Sequence, residues 1–219
     1  MQDTPQHRPP KTDHFHEPLP IETAFEFLNT LELENGALVE RLTTLDTAGA
    51  WLAEHGVIDD PRRITLIGRR PPGARVTLDR IVRTRTALRD VAHAVAHRET
   101  PDRDAIEEVN RALGAKARLE LVAEPDGVKL GHSHVGDAID DALARIAEPI
   151  VREVGGGHDR RFRVCANDTC RWIFYDESRS GQRRWCDMAT CGNRAKAQRH
   201  RARQKQQVIE LVAPPATPA

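Results

Sequence analysis

Four cysteines near the C-terminal end of the chain are the strongest candidates for metal ligands in the sequence. The chain has 219 residues and no other cysteine, and the four follow the pattern C-x4-C-x15-C-x4-C at Cys165, Cys170, Cys186 and Cys191. Zn²⁺ prefers four tetrahedral ligands, and two cysteine pairs that each close a short turn can supply them at little cost in loop entropy. The spacing therefore predicts one zinc ion held by all four thiolates.

Two other states of these cysteines stay open on spacing alone. A spacing of two residues within each pair is more usual in zinc sites, so the pattern does not identify the metal by itself. Four reduced, buried thiols without a metal are one alternative, and two disulfides are the other. The polar sequence around the cysteines disfavours burial of four thiols without a metal. Because four thiolates leave no open position for water, the predicted zinc is structural rather than catalytic.

The rest of the sequence indicates in which cellular compartment the protein is expected. The N-terminal segment carries charge and proline where a secretory signal would have an apolar run of about 7 to 15 residues. No uncharged apolar stretch approaches the roughly 18 residues that a membrane helix needs. We therefore expect a soluble cytoplasmic protein without a membrane partner. In that compartment thiols stay reduced, and clustered cysteines more often hold metal than form disulfides.

The net charge of zero conceals two halves of opposite sign. Residues 1–159 carry 20 Lys and Arg against 28 Asp and Glu, a balance of −8, whereas residues 160–205 carry 13 against 4, a balance of +9. Such asymmetry predicts a polyanionic partner for the basic part.

A basic helix is predicted over residues 191–206, directly after the last cysteine. At 100° per residue its cations fall on two opposite faces. A charge run is usually only a solvated face, but here it follows a metal site, which favours contact with nucleic acid. DNA is the expected partner, with RNA or an acidic protein as alternatives. The predicted nucleic-acid contacts are Arg183, Arg184, Arg194, Lys196, Arg199, Arg201 and Arg203.

The pattern of apolar and turn residues along the chain predicts a mainly helical α+β domain with a small β-hairpin. A small zinc-stapled module that ends in the basic helix follows it. Apolar periodicity predicts helices from Ile21 to Leu31, around residues 45–52, and over about 79–98, 101–113 and 139–150. The segment 117–134 reads as the hairpin, and 63–68 as a short strand. The predicted divisions are a disordered leader at 1–18, the α+β domain at 19–154, a glycine hinge at 155–159, the module at 160–206 and a flexible tail at 207–219.

An enzymatic reading rests on His93 and His97, which are spaced as in H-E-x-x-H zinc hydrolases. Ala94 stands where such an enzyme has its general base, and both histidines lie away from the predicted apolar face of their helix. The sequence shows no glycine-rich phosphate loop and no nucleophile elbow. We therefore predict that the protein is not an enzyme.

The segment from Cys165 to Arg203 resembles the CGNR zinc finger, named for the tetrapeptide at residues 191–194. Asp176, the run from Arg183 to Cys186 and the basic tail share in this resemblance. Two positions depart from the usual finger: Ser180 stands where an asparagine is expected, and Asp187 where a serine is expected. The segments 25–30 (FEFLNT) and 49–57 (GAWLAEHGV) resemble the ABATE domain, which is described as a stress-induced transcriptional regulator. The resemblance implies a transcriptional regulator that binds DNA through the finger and senses a ligand or partner through its N-terminal domain. The alternative is an RNA-binding or protein-interaction zinc module with an N-terminal assembly domain.

Overall fold

The computed structural model describes residues 19–34, 36–58, 62, 64, 68–69, 73–114, 117–124, 127–134 and 137–212, so the predicted leader at 1–18 lies outside the described residues. Most described residues are helical, and the strands form antiparallel hairpins, which confirms the predicted fold class. In chain order the elements are α1 (Ile21–Leu28), β1 (Leu31–Glu34), β2 (Ala37–Glu40), α2 (Leu45–Glu54), α3 (Ala74–His97), α4 (Arg103–Leu113), β3 (Ala117–Glu124), β4 (Gly127–His134), α5 (Ala138–Gly155), β5 (Phe162–Val164), β6 (Ile173–Tyr175) and α6 (Asn193–Val212).

The core is built by α1, α3 and α5. Apolar side chains recur along each of these helices with the spacing of one face, and they pack together at the centre of the fold. The largest fully buried apolar side chains are Phe27, Leu28, Leu52, Ile64, Ile81, Leu88, Ile139, Leu143, Ile146, Ile150 and Phe162.

Polar side chains cap the starts of α2, α4 and α5. Asp137 accepts hydrogen bonds from the backbone N–H groups of Ile139 and Asp140 at the start of α5. Arg80 on α3 donates to both Asp137 and Asp140, with N–O distances of 2.8 to 2.9 Å. The start of α5 is thereby tied to the middle of the fold.

A first hairpin, β1–β2, begins at Leu31, where the sequence predicted the last residue of the first helix. Leu31 was expected on the helix that starts at Ile21, but α1 ends at Leu28 and Leu31 pairs with Glu40 in the hairpin. Arg85 on α3, with its side chain 1% exposed, binds both carboxylate oxygens of Glu40 at 2.6 and 2.5 Å. This ion pair, between a buried guanidinium and a half-buried carboxylate, attaches the hairpin to the core.

The predicted strand at 63–68 is wrong where the structure describes it. Ile64 and Gly68 have helical backbone, and the rest of that segment lies outside the described residues. Ile64 is buried, and Gly49 on α2 lies so close to it that an added Cβ would stand 3.2 Å from its side chain. Tertiary packing thus overrides the β-branched preference of this short run.

The last hairpin, β5–β6, belongs to the same core as the helices. Phe162 on β5 is 1% exposed and Ile173 on β6 is 0% exposed, and both pack in the cluster formed by α1, α3 and α5. The Phe162 ring also lies 5.3 Å from that of Phe25 on α1. The three glycines of the predicted hinge, 155–157, form the end of α5 and the turn after it. The domain boundaries stay a prediction, but apolar packing continues across them.

The beginning and end of the C-terminal part are less clear from sequence. A short 3₁₀ turn, Asp159–Arg161, leads from α5 into β5. At the other end α6 runs to Val212, into the segment predicted as a tail, and residues 213–219 lie outside the described part of the chain. Among the described helices, none combines the length and apolarity needed to cross a membrane.

Candidate metal centre

The first cysteine pair is set by the β5–β6 hairpin. Cys165 directly follows β5, and its backbone N–H donates to the carbonyl of Trp172 at 2.8 Å, which extends the hairpin by one step. The carbonyl of Asn167 then accepts from the N–H groups of Cys170 at 2.8 Å and Arg171 at 3.1 Å. Arg171 takes a left-handed conformation with φ of 57°. This tight turn brings the thiol of Cys170 back beside that of Cys165.

The second pair is set by a π-helical turn at Met188–Gly192: Cys186 precedes the turn and Cys191 lies within it. Asp187 caps this turn, since its carboxylate accepts from the N–H of Ala189 at 3.2 Å and from the N–H and hydroxyl of Thr190 at 2.8 and 2.7 Å. The Thr190 hydroxyl, together with these N–H groups, holds the pKa of Asp187 below its usual range. Serine and aspartate are both good N-caps, so this departure from the usual finger keeps the same local role.

The two turns meet around four sulfur atoms that lie within 4.8 Å of one another. The Sγ atom of Cys186 is 3.7 Å from that of Cys170 and 3.8 Å from that of Cys191. A tetrahedron with Zn–S bonds of about 2.3 Å has edges of about 3.8 Å. The four residues therefore fit a single Zn²⁺, and zinc bound here would fasten the β5–β6 turn to the π-turn.

Hydrogen bonds to sulfur complete the surroundings of the site. The backbone N–H groups of Asn167 and Cys186 donate to the thiol of Cys165, and that of Trp172 donates to Cys170. The Asn167 side-chain amide, buried, donates to Cys191 Sγ at 3.4 Å. Such second-layer donors orient thiolate ligands and offset their charge.

The thiols share protons when no cation is present. Donation from the Cys186 thiol lowers the pKa of Cys170 to about 5, and the same contact raises the pKa of Cys186. Burial raises the pKa of Cys165. Since sulfur binds zinc as thiolate, metal binding must displace these protons, and acid must weaken the site.

The four residues of the CGNR tetrapeptide have different structural roles. Cys191 is a ligand and Gly192 is buried beside Met188. The Asn193 side chain donates to the carbonyl of Ala189 at 2.9 Å, joining the start of α6 to the π-turn. Arg194 is exposed and forms no ion pair with any residue in the described ranges.

The aromatic side chains of the module have different surroundings. Phe174 packs with Cys165 and Cys191, and Trp185 is half-buried against the same cluster. The guanidinium of Arg183 lies 5.1 Å from the Phe174 ring centroid, and that of Arg184 lies 4.4 Å from Trp185. Trp172, by contrast, is 36% exposed. Packing accounts for the first two rings, whereas Trp172 has a free face.

The predicted nucleic-acid contacts are all on the surface, and their role stays a prediction. Arg183 and Arg184 lie just before Cys186, where Arg183 also donates to the carbonyl of Cys186. The other predicted residues lie on α6, whose described side chains between Lys196 and Lys205 are all exposed. The helix packs mainly on the π-turn, so it extends from the metal site with cations on both faces.

A cleft of about 700 Å³ lies between the metal site and the β1–β2 hairpin. One wall is formed by Glu32, Leu33 and Glu34, and the other by residues of the two cysteine turns. Glu32 and Glu34 both pair with Arg41. The residues from the module that line the cleft are Thr169, Cys170, Trp172, Cys186, Asp187, Thr190, Cys191 and Arg194.

Sequence reasoning missed the residues that hold the module on the helical body. Asn29, buried at the end of α1, donates to the carbonyl of Ile173 at 2.8 Å and accepts from its N–H at 3.0 Å. Tyr175 donates its phenolic proton to Glu153 on α5. Asn29 lies in the segment FEFLNT that resembles ABATE, but nothing in its own pattern indicated its partner.

The histidine pair considered for an enzyme does not form a metal site with other described residues. His93 and His97 are exposed, and their rings stack with centroids 4.2 Å apart. Within the described ranges, Cys165, Cys170, Cys186 and Cys191 form the group of potential ligands close enough to bind one ion.

Comparison with protein families gives two matches along the chain. Residues 22–157 match the family described as "ABATE: Putative stress-induced transcription regulator", and residues 161–204 match the "CGNR zinc finger". No curated protein matches the chain. The boundary between the two matches falls at the turn between α5 and β5.

Proposed function

Since the chain belongs to the ABATE family and carries a CGNR zinc finger, we propose that it is a transcriptional regulator that binds DNA through this finger. The proposed DNA-binding surface consists of α6 together with Arg183 and Arg184. The proposed metal is one structural zinc on the four cysteines. We propose the cytoplasm as the place of action, because thiols stay reduced there and can hold zinc.

The observation that carries this proposal is the position of α6. The helix has 20 residues, so it is about 30 Å long, and its start is joined to the π-turn that carries Cys191. Arg194, Arg201 and Lys205 lie on one face, while Lys196, Arg199 and Arg203 lie on the opposite face. Up to residue 207 the helix is polar on all sides, so this part gains little from packing on its own protein. One of its two cationic faces can meet phosphates while the other stays in water.

Contacts of arginine and lysine with phosphate fix position on DNA without reading its sequence. The free guanidinium of Arg194 and the exposed ring of Trp172 lie next to the metal site, where the helix begins. Arg199 is the other candidate for contact with a base edge. We therefore expect a strong component of binding that does not depend on DNA sequence, with selectivity confined to a few side chains.

The N-terminal domain is the proposed sensor. Its link to the finger runs through Asn29 and Glu153, which bind opposite ends of β6. A ligand or partner that shifts α1 or α5 would therefore act on the strand next to the first cysteine turn. We propose a binding protein rather than an enzyme for this domain.

A salt titration against three polyanions tests the proposal. If about five cations reach phosphates, the logarithm of the affinity for duplex DNA should fall against log salt with a slope near −4.5, since each contributes about −0.9. Single-stranded RNA and an acidic polypeptide serve as the competing partners under the same conditions. Tighter binding to duplex DNA supports the proposal, whereas preference for RNA or for the polypeptide would favour the alternative zinc module.

A further inference from the structure

The four sulfur ligands are covered to different extents. Cys165 is fully buried and Cys191 is 4% exposed, whereas Cys170 and Cys186 are only half-buried. Cys170, Cys186 and Cys191 line the cleft beside the β1–β2 hairpin, and of these three Cys191 is almost fully covered whereas Cys170 and Cys186 are half-buried. One edge of the metal site, the edge that joins Cys170 and Cys186, is therefore open to a small molecule in the cleft.

We propose that the Cys170–Cys186 pair is a site of oxidative modification by a small, uncharged hydroperoxide. Their sulfur atoms lie 3.7 Å apart, so a product on one is within reach of the other. Reactivity towards peroxides follows thiolate character and exposure, and zinc-bound sulfur is held as thiolate. This inference goes beyond the proposed function, because it concerns the metal site and needs no nucleic acid.

Oxidation of the two thiolates by a hydroperoxide proceeds in two steps. One thiolate attacks a peroxide oxygen and breaks the O–O bond, which gives a sulfenic acid and, after uptake of one proton, water or an alcohol. The second thiolate attacks the sulfenic sulfur and, after uptake of a second proton, expels water and forms the disulfide. Two electrons pass from the sulfurs to the peroxide, and zinc keeps its charge but loses two of its four ligands.

The charges of the cleft select the kind of oxidant. Glu32, Glu34 and Asp187 line the cleft with three carboxylates, and their charge is offset in part by Arg194 in the lining and by Arg41, which pairs with both glutamates. A zinc ion with four thiolates adds a net charge of about −2. Such a field lowers the local concentration of anionic reagents, including disulfides that carry carboxylates, and leaves uncharged hydroperoxides unaffected.

Loss of the metal would act locally at first. The zinc joins the two cysteine turns, and the second turn carries the start of α6. The β5–β6 hairpin would keep its place, because Phe162 and Ile173 are buried in the core of the helical body. Oxidation would therefore release the basic helix from its fixed position while the body stays folded.

Titration of the zinc-loaded full chain with hydrogen peroxide tests the proposal. Released zinc is measured with a colorimetric chelator, and disulfides are mapped by mass spectrometry of peptides. We expect one zinc released per disulfide formed, with Cys170–Cys186 as the main product. A main product that contains Cys165, or peroxide treatment that leaves the metal bound, would overturn the proposal.

Variants of the cleft test the route without removing a ligand. Leu33→Trp narrows the cleft and should slow zinc release by about threefold or more, since exposure governs access to the thiolate. Leu38→Trp is the matched control, because Leu38 pairs with Leu33 across the hairpin but does not line the cleft. Equal rates in both variants, with zinc content unchanged, would contradict access through the cleft.

A second pair of variants tests the charge selection. Glu32→Gln with Glu34→Gln should speed reaction with a dianionic aromatic disulfide by about threefold or more at low salt, and should leave the peroxide rate nearly unchanged. Glu99→Gln with Glu107→Gln, on the surface away from the cleft, is the matched control. If both reagents respond alike to the cleft variant, the proposed selection by charge is wrong.

Discussion

Tyr175 reports on the contact between the zinc module and the helical body at the level of a single residue. Burial, reinforced by the hydrogen bond that its phenol donates to Glu153, raises its pKa to about 12. Tyr175 is the only tyrosine in the sequence, so its ionisation can be followed by ultraviolet absorbance without interference from another phenol.

We predict that the phenol of Tyr175 ionises near pH 12 in the folded protein and near pH 10 in denaturant. Because the folded pKa lies above the unfolded value, the neutral phenol stabilises the fold. This contribution is complete below about pH 10 and is lost as the pH rises towards 12. Glu153→Gln should move the folded pKa down, while Glu148→Gln, one turn earlier on α5, should not. Ionisation near pH 10 in a protein that is still folded would show that the contact does not form.

Residue-level predictions succeeded where chemistry constrains spacing. The ligand set could be predicted from the cysteine spacing, because two pairs of soft donors that each close a short turn match the four tetrahedral ligands of zinc. The cap provided by Asp187 could not be predicted, because its partners lie in a π-turn for which the sequence gives no recognisable pattern. Asn29 also escaped prediction, because its partner, Ile173, lies 144 residues away.

At the level of elements, the junction between α1 and β6 holds the module in place. The side chain of Asn29 forms two hydrogen bonds with the backbone of Ile173, in the manner of a strand neighbour. Both groups of Ile173 are buried, so water cannot readily replace the lost partner.

We predict that Asn29→Ala lowers the free energy of unfolding by about 2 to 4 kcal/mol, because it leaves a buried N–H and a buried C=O without partners. Chemical denaturation of the zinc-loaded protein measures this. Asn110→Ala, at an exposed position on α4, is the control and should change stability by less than about 0.5 kcal/mol. A loss no larger at Asn29 than at Asn110 would refute the role assigned to this junction.

The β1–β2 hairpin was not predicted, although the sequence carries a signal for it. The dipeptide at residues 35–36, Asn-Gly, stands between LELE and ALVE, and such a dipeptide between alternating apolar residues is a strong hairpin signal. The helical spacing of Ile21, Phe25 and Leu28 continues by chance to Leu31, and that periodicity was the competing signal. The longer hairpin at 117–134 had no such competitor, and its predicted pairing is confirmed.

At the scale of the whole molecule, the helical body and the zinc module share one apolar core. The predicted glycine hinge and the reversal of charge imply two units, and two units joined by a hinge would unfold separately. The burial of Phe162 and Ile173 among the helices predicts coupled unfolding instead.

We therefore predict that removal of zinc with a strong chelator lowers the unfolding midpoint of the whole chain while leaving a single transition. Hydrogen exchange should increase first in residues 165–170 and 186–192, since metal binding supplies the folding energy of such turns. Elemental analysis of the starting material should give one zinc per chain. A helical body whose midpoint does not change on chelation would contradict the shared core.

Charge is also distributed over the whole molecule in a functional way. Residues 1–159 carry the excess of acidic side chains, and the cations of residues 160–205 follow in the part of the sequence that holds the four cysteines and the basic helix. An acidic body repels the phosphates of DNA and leaves the basic module as the favourable surface for contact.

Duplex DNA binding by a chain with a charge-reversed α6 is the most direct test of the proposal that this helix binds nucleic acid. The variant carries Arg199→Glu and Arg203→Glu, and its zinc content is checked first. The control carries Arg75→Glu and Arg103→Glu, two exposed positions on the helical body that give the same change in net charge. We predict that reversal on α6 abolishes measurable binding at moderate salt, whereas the control retains the salt slope of the unmodified protein. Unchanged affinity and slope in the α6 variant would contradict the proposal that this helix binds nucleic acid.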